Sequence, residues 1–150
     1  MKPQTKREIR NPDYVQGVRD SFYRQGLMRT FNAQLVRIEP GAVEISVPFT
    51  SHLTQQDAFF HAGVGIALLD TACGYAAFTL MAPDLRVLTV ELKVNLLSPA
   101  VGERLRAVGE VIRPGRSLTV CRGDAFTVSG TGEKHVATIL ATMTAVPQAA

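Results

Sequence analysis

The 150-residue sequence lacks tryptophan, contains only two cysteines and is low in charged residues, which make up 19% of it. Cys73 and Cys121 are widely spaced inside apolar segments, which argues against a disulfide framework or a cysteine zinc site and predicts reduced core thiols. No apolar stretch follows the basic residues near the amino terminus, so no secretory signal peptide is predicted. We therefore expect a cytoplasmic protein that binds no metal.

The net charge of +3 belongs entirely to the first ten residues. That segment carries Lys2, Lys6, Arg7 and Arg10 against Glu8 alone, and basic and acidic side chains balance in the rest of the chain. A basic excess in a terminal segment that we expect to be flexible does not make a nucleic-acid-binding face, and no aromatic-rich basic stripe follows. The sequence therefore predicts no nucleic-acid partner.

Hydrophobic residues make up 46% of the chain, enough for a substantial core. A chain of this length buries roughly 70% of its extended surface on folding. The sequence contains no internal repeat and no linker. These features predict one domain over residues 1–150, with residues 1–10 as a flexible tail.

The segment after this tail predicts a short amphipathic helix. Asn11 and Pro12 are typical of an N-cap and a first helical residue, and Gly26 is suited to end the helix. The apolar residues at three- and four-residue spacing between them are Val15, Val18 and Phe22.

From residue 31 to residue 48, alternating apolar residues on both sides of a Glu39-Pro40-Gly41-Ala42 turn predict a β-hairpin, and residues 50–60 predict a loop.

The most apolar segment runs from His61 to Met81, with Asp70 as its single charge and Pro83 just beyond it. Its length alone is compatible with a membrane span. Three glycines, the central carboxylate and the alternating strands that follow favour instead a long helix buried within a globular fold.

The remainder of the chain predicts four strands joined by short turns. Leu88 to Leu97 alternates as one long strand with a single buried face, and Ser98-Pro99 ends it. The next strands cover residues 104–112, 118–128 and 136–146, with turns at Pro114-Gly115 and at residues 130–132. Leu105, Ala107, Gly109 and Val111 lie on one side of the second of these strands.

Short turns make neighbouring strands antiparallel, and a helix that is apolar nearly all round must be covered on most sides. The prediction is an α+β fold in which a curved antiparallel sheet wraps around a long central helix, preceded by a short N-terminal helix. One chain of this length leaves an open sheet edge and one side of the helix poorly covered. Dimerisation would cover both.

Asp70 is the first candidate for chemistry, because a lone carboxylate in an apolar helix is costly unless it is paired, hydrogen-bonded or functional. The helix start is the second candidate. There His61, Ala62 and Gly63 present backbone N–H groups that have no partner within the helix, at the end where the helix dipole favours a developing negative charge. The small Ala62 and Gly63 allow a ligand close to the backbone, although small residues serve equally well for packing helix on sheet.

Geometry links these two candidates. Gly63 and Asp70 are seven residues apart, so they share a face of the helix but lie about 10 Å apart along its axis. One carbonyl group cannot readily touch both in the same subunit. Two antiparallel helices in a dimer would bring Asp70 of one chain near the helix start of the other, which predicts two composite sites per dimer.

The other polar residues carry weaker signals. His61 is expected as a capping or turn residue, and His52 and His135 as surface residues. Arg113 and Arg116 flank a hairpin turn that could hold phosphates or could simply be solvated. Thr89 lies on the strand face opposite to the apolar row, where it lines a cleft or pairs across the sheet.

Three segments resemble the PaaI-type hotdog thioesterases. His61-Ala62-Gly63, followed by Leu69-Asp70-Thr71-Ala72 and Gly74-Tyr75-Ala76-Ala77, resembles their H-G-G-x(4)-L-x-D-x-A motif. Residues 88–100 with Gly102-Glu103 are similar to the strand that follows in this family, and Pro114-Gly115-Arg116 to its hairpin turn. The resemblance covers residues 30–146.

The resemblance implies a hotdog fold, a dimer often doubled to a homotetramer, and hydrolysis of acyl- or aryl-CoA thioesters without a metal. It implies no cofactor, since CoA is part of the substrate, and no membrane partner. By this resemblance Asp70 is the general base or nucleophile, and the Ala62 N–H polarises the thioester carbonyl from the neighbouring subunit. Thr89 corresponds to a hydroxyl residue that positions water, and Gln55 to a polar residue near the thioester.

The acyl group would contact apolar residues, with Phe59, Phe60, Leu68 and Phe78 as candidates. Arg113, Arg116 or Arg86 would meet the CoA phosphates. Ala62 departs from the glycine of the motif, and its methyl group narrows the approach of the acyl group. Gln55 stands in place of a commoner asparagine.

Two other functions are compatible with a hotdog fold. One is a non-catalytic acyl-CoA-binding or regulatory protein, although residues 1–30 contain no recognisable DNA-reading motif. The other is a dehydratase, which needs a histidine paired with a carboxylate, whereas His61 precedes Asp70 by nine residues. Release of free thiol from acyl-CoAs distinguishes the enzyme from a binding protein.

Overall fold

The structure, a computed structural model, describes residues 8–130 and 132–148. The predicted tail over residues 1–10 therefore lies mostly outside the described residues. The elements are α1 (Tyr14–Arg24), α2 (Gly26–Thr30), β1 (Gln34–Glu39), β2 (Ala42–Pro48), α3 (Ala62–Phe78), β3 (Leu85–Leu96), β4 (Arg104–Pro114), β5 (Leu118–Ser129) and β6 (Gly132–Pro147). A single 3₁₀ turn, Ser51–Leu53, lies in the loop between β2 and α3.

The strands of the described residues form one antiparallel sheet in the order β1-β2-β4-β5-β6-β3. The long helix α3 lies on one face of this sheet and contacts every strand from β2 to β6. The hairpin, the long helix and the four strands after it are confirmed in their predicted order, and the fold is α+β as predicted.

Close contact between α3 and the sheet depends on a glycine in β4. A Cβ atom added to Gly109 would lie 2.4 Å from the backbone of Ala72 and Cys73, so no larger residue fits there. The buried face of β4 carries Leu105, Ala107 and Val111, as predicted. Cys73 and Cys121 are fully buried and form no disulfide, and burial raises the pKa of the Cys73 thiol well above its usual range.

The edge strand β3 differs from the prediction of one uninterrupted buried face. Its pairing with β6 shifts between Thr89 and Glu91, so that Val90 forms a β-bulge. Thr89 pairs with the buried Met143 and therefore faces α3, whereas Leu88 points to the opposite side of the sheet and is 54% exposed. The prediction that Thr89 lies opposite to the apolar row is wrong, because one extra residue reverses the alternation there.

Part of the molecule remains uncovered, as the sequence predicts. The outer edge of β3 has no neighbouring strand in the described chain, and a stripe of α3 that includes Gly63, Ile66, Ala67 and Asp70 is only partly buried. These residues recur at three- and four-residue spacing and so share one face of the helix.

The ends of the helices also differ from prediction. Helix α1 begins at Tyr14 with Asp13 as its N-cap residue, because Asn11 Oδ1 accepts a hydrogen bond from the Asp13 N–H (3.0 Å) in the turn before the helix. Gly26 does follow α1, but it also begins α2. Val15, predicted on the buried face, is partly exposed, while Val18 and Phe22 are fully buried.

Helix α3 ends at Phe78, three residues before the predicted Met81. Thr79 ends it: its hydroxyl donates to the Ala76 carbonyl (2.7 Å) and accepts from the Gly41 N–H (2.7 Å), which ties the helix end to the hairpin turn. No helix in residues 8–130 or 132–148 is both long and apolar enough to cross a membrane.

Candidate active site

The start of α3 is capped by its own histidine. His61 is the N-cap residue, and its Nδ1 accepts a hydrogen bond from the Gly63 N–H at 2.8 Å. The predicted capping role of His61 is confirmed. The Val64 N–H is bonded to the His61 carbonyl, whereas the Ala62 N–H makes no hydrogen bond within the described residues. Ala62 thus presents a free amide donor at the positive end of the helix.

A cavity of about 440 Å³ opens beside this helix start. Its mouth includes His61, Ala62 and two leucines at the end of β3, Leu96 and Leu97, which are 58% and 50% exposed. Its inner wall is formed by the buried residues Gly65, Leu105, Val136 and Ala137. The cavity therefore leads from the free amide of α3 into the apolar space between the helix and the sheet.

The loop before α3 forms another part of the wall. Phe59 and Phe60 both line the cavity, and Phe60, which is 3% exposed, packs edge-to-face against Phe49 with ring centroids 5.3 Å apart. Of the four predicted contacts for an acyl group, Leu68 and Phe78 do not line it; Phe78 packs against Tyr75 instead.

Gln55 also lines the cavity, and hydrogen bonds within its own loop hold it there. Its Oε1 accepts from the Asp57 N–H, and its Nε2 lies 3.4 Å from Asp57 Oδ2. The backbone N–H of Gln55 donates to the Phe59 carbonyl at 2.9 Å. A polar group is thereby fixed at the otherwise apolar entrance.

Asp70 lies farther along α3 and is half-buried. The Thr89 hydroxyl donates to Asp70 Oδ1 at 2.8 Å, an interaction made possible by the bulge at Val90. Asp70 Oδ2 accepts no hydrogen bond from the described residues. The carboxylate is thus held by one oxygen and open at the other.

These residues form two groups rather than one site. Asp70 and Thr89 do not line the cavity that His61, Ala62 and Gln55 line. Ala62 and Asp70 are eight positions apart on α3, which is about 12 Å along the helix axis. A single chain therefore does not bring the carboxylate and the free amide together, as the sequence analysis predicts.

The predicted phosphate-binding arginines lie at the other end of the helix. Arg113 and Arg116 are exposed at the β4–β5 turn. Arg116 lines a second depression of about 240 Å³, next to Leu80 and Met81 beyond the end of α3. Within one chain these cations are remote from the cavity.

A family model described as the thioesterase superfamily matches residues 58–134, just over half of the chain. This chain belongs to the thioesterase superfamily. The matched region includes α3 with Ala62 and Asp70, the strand residue Thr89, and part of the cavity wall, whereas Gln55 lies just before it and Val136 and Ala137 just after it. Membership identifies the protein as an enzyme that hydrolyses thioesters.

Solved structures of similar proteins support the same assignment for this thioesterase. It is 48% identical to a thioesterase family protein from Silicibacter pomeroyi, with a TM-score of 0.88 over 90% of this chain and 99% of the other. It is 27% identical to a thioesterase enzyme of Staphylococcus aureus, with a TM-score of 0.77 over 82% and 100% of the two chains. That structure carries a glutamine-to-alanine replacement, and a second structure of the same protein a glutamate-to-alanine replacement.

The PaaI protein of Escherichia coli has the same fold. It superimposes with a TM-score of 0.80 over 93% of this chain and 96% of the other, at 16% identity. The predicted hotdog fold of the thioesterase, and its resemblance to PaaI-type proteins, are thereby confirmed.

Sequence reasoning missed two features of this site. The inner wall of the cavity combines Gly65, Leu105, Val136 and Ala137, which belong to three distant segments and show no common local pattern. The bond from Thr89 to Asp70 depends on a bulge that the regular alternation of β3 conceals.

Proposed function

We propose that this thioesterase hydrolyses acyl-CoA or aryl-CoA thioesters to the free acid and CoA, without a metal, at two composite sites in a homodimer. The single observation that supports this most is the division of the candidate groups along α3. A free amide and an apolar cavity lie at its start, and a carboxylate with one open oxygen lies about 12 Å farther on.

The uncovered surfaces of the chain support the dimer. The outer edge of β3 has unpaired backbone groups, and the stripe of α3 that carries Asp70 is only partly buried. Pairing of two copies about a twofold axis would cover both and would place Asp70 of one copy near Ala62 of the other. We propose that two such dimers associate through other faces of the sheet into the homotetramer that the resemblance implies.

In the proposed reaction the thioester carbonyl oxygen accepts a hydrogen bond from the Ala62 N–H, which stabilises the negative charge that develops there. Asp70 of the other copy removes a proton from water as the water oxygen attacks the carbonyl carbon, or attacks that carbon directly. The carbon–sulfur bond then breaks and CoA leaves as its thiolate, which takes a proton from Asp70 if water attacked and from solvent if Asp70 attacked. If Asp70 attacks, water hydrolyses the resulting anhydride and restores the carboxylate.

The replacements in the Staphylococcus aureus structures support this assignment of residues. The replaced glutamine and the replaced glutamate are fifteen positions apart in that protein, which is also the separation of Gln55 and Asp70 in this one. We propose that Gln55 donates a hydrogen bond to the substrate at the entrance of the cavity, and that Gly63 leaves space for the thioester beside the helix.

Further features fit this function. The described residues contain no group of three or more histidine, cysteine, aspartate or glutamate side chains placed to hold a metal ion. Arg113 and Arg116 are exposed and free to meet the phosphates of CoA bound mainly by the partner copy. Two buried cysteines that form no disulfide suit the reducing cytoplasm, where we place the reaction.

The function is tested by incubating the purified enzyme with a panel of acyl-CoAs and measuring free CoA with a thiol reagent. Release of CoA together with an equal amount of the free acid is the expected result. Binding of acyl-CoA without release would indicate a binding protein instead and would contradict the proposal.

Thr89 is proposed as a positioning residue for Asp70. Replacing Thr89 by valine removes the hydroxyl that donates to Asp70 Oδ1, and we expect kcat to fall roughly 10- to 100-fold with KM little changed, because a hydrogen bond to a charged group is worth about 1.5–3 kcal/mol. Thr89→Ser keeps the hydroxyl and should restore most of kcat. Equal losses in the two variants, or a loss confined to KM, would show that the hydroxyl does not act through the carboxylate.

A further inference from the structure

We propose that Gly65 sets the depth of the acyl-binding cavity, and that the acyl groups accepted are uncharged and apolar, with their far end against Gly65 and Leu105. This inference rests on the proposed function and extends it from the reaction to the class of acyl group and to the residue that selects it. It follows from three properties of the cavity.

The first property is the placement of Gly65. It lies three residues beyond Ala62 on α3, so it follows the free amide by about one turn on the same side of the helix. Gly65 is buried and forms the inner wall together with Leu105, which is fully buried. A carbonyl bound at the Ala62 N–H would therefore direct its acyl group toward Gly65 and Leu105.

The second property is the space above Gly65. A Cβ atom added there would have Leu105 Cδ2, at 3.9 Å, as its nearest neighbour, which is ordinary van der Waals contact. The absence of a side chain at Gly65 is thus not required for packing of the helix on the sheet, unlike that of Gly109. It leaves open a volume that a larger residue would fill.

The third property is the chemistry of the wall. No lysine, arginine, aspartate or glutamate of the described residues lines the cavity, and its polar side chains are Gln55, His61 and Ser98. The inner end consists of apolar groups only, so a carboxylate at the far end of an acyl group would lose its hydration without gaining a partner. Dicarboxylic acyl groups are therefore excluded as good substrates.

Gly74 provides a matched control on the same helix. A Cβ atom added to Gly74 would have Val87 Cγ1 as its nearest neighbour, also at 3.9 Å, and Gly74 does not line the cavity. Replacing either glycine by alanine gives the same gain in helix propensity. Differences between Gly65→Ala and Gly74→Ala therefore report on the cavity.

The test measures kcat/KM for the wild-type enzyme and for Gly65→Ala, Gly65→Val and Gly74→Ala. The substrates are straight-chain acyl-CoAs from two to twelve carbons and one dicarboxylic acyl-CoA matched in length to a good substrate. We expect the ratio of kcat/KM for the longest well-used chain to that for acetyl-CoA to fall about 5-fold in Gly65→Ala and 10- to 100-fold in Gly65→Val, since each added methyl group displaces part of the chain. Gly74→Ala should keep the wild-type ratio.

The dicarboxylic acyl-CoA should be used at least about tenfold less well than its uncharged counterpart. The proposal is overturned if Gly65→Ala and Gly65→Val keep the wild-type chain-length profile, if Gly74→Ala shifts the profile equally, or if the dicarboxylic substrate is used equally well. Failure of the wild-type enzyme to release CoA from any substrate is a separate result, and it would overturn the proposed function together with this inference.

Discussion

Replacement of Asp70 by asparagine is expected to lower kcat/KM for acyl-CoA hydrolysis by about 10²- to 10⁴-fold, the usual contribution of a general base. Asparagine has nearly the same shape, and its Oδ1 can still accept the hydrogen bond that Thr89 donates at 2.8 Å. It cannot take a proton from water or form a bond to the acyl carbon at neutral pH. The loss should therefore appear in turnover rather than in folding.

A second carboxylate provides the control for this variant. Asp20 lies exposed on α1, where its Oδ1 accepts a hydrogen bond from Gln16 Nε2, and Asp20→Asn should leave kcat/KM unchanged. Free-CoA release is measured for both variants, with thermal unfolding and the oligomeric state recorded in parallel. Wild-type turnover by a correctly folded Asp70→Asn enzyme would remove Asp70 from the mechanism.

The prediction of Asp70 from the sequence alone has a simple physical basis. A carboxylate in an otherwise apolar helix stands out, because its burial without a partner is unfavourable. The hairpin from β1 to β2 is equally predictable from the sequence, since period-two alternation flanks a turn in which Gly41 adopts a positive φ of 74°. Such features depend on residues that are neighbours in the sequence.

Features that depend on distant residues were not predictable in this way. The alternation from Leu88 to Leu96 looks continuous in the sequence. The extra residue at the Val90 bulge, however, reverses the side of the sheet that the preceding side chains face, and so turns Thr89 toward α3. The bulge arises from pairing with β6, about fifty residues later in the chain. Likewise, Gly65 becomes part of a cavity only because β4 and β6 are packed beside it.

The division of the site between two copies is also open to direct test. Ala62 is the first residue of α3, where proline is well tolerated, and His61 before it is extended with ψ 138°, as a residue preceding proline requires. Ala62→Pro therefore removes the free N–H and should leave the helix intact. Its kcat/KM is expected to fall about 10²- to 10³-fold, the usual effect of losing one oxyanion donor.

Mixed dimers of Asp70→Asn and Ala62→Pro are expected to recover activity that neither variant has alone. If each site combines Asp70 of one copy with the Ala62 N–H of the other, a mixed dimer has one site in which both groups are lost and one in which both are intact. The two chains are co-expressed with different affinity tags, and dimers that carry both tags are isolated. Their CoA release should reach about half of the wild-type rate per dimer.

The matched control pairs the Asp70→Asn chain with a chain that carries both replacements, and its mixed dimer should stay inactive because neither site retains Asp70. If each site belonged to a single chain, the mixed dimer of the two single variants would have one defect in each site and would be as inactive as its parents. Failure to isolate any dimer that carries both tags would equally contradict the composite site. Recovery requires that a carboxylate from one copy and an amide from the other meet at the same thioester.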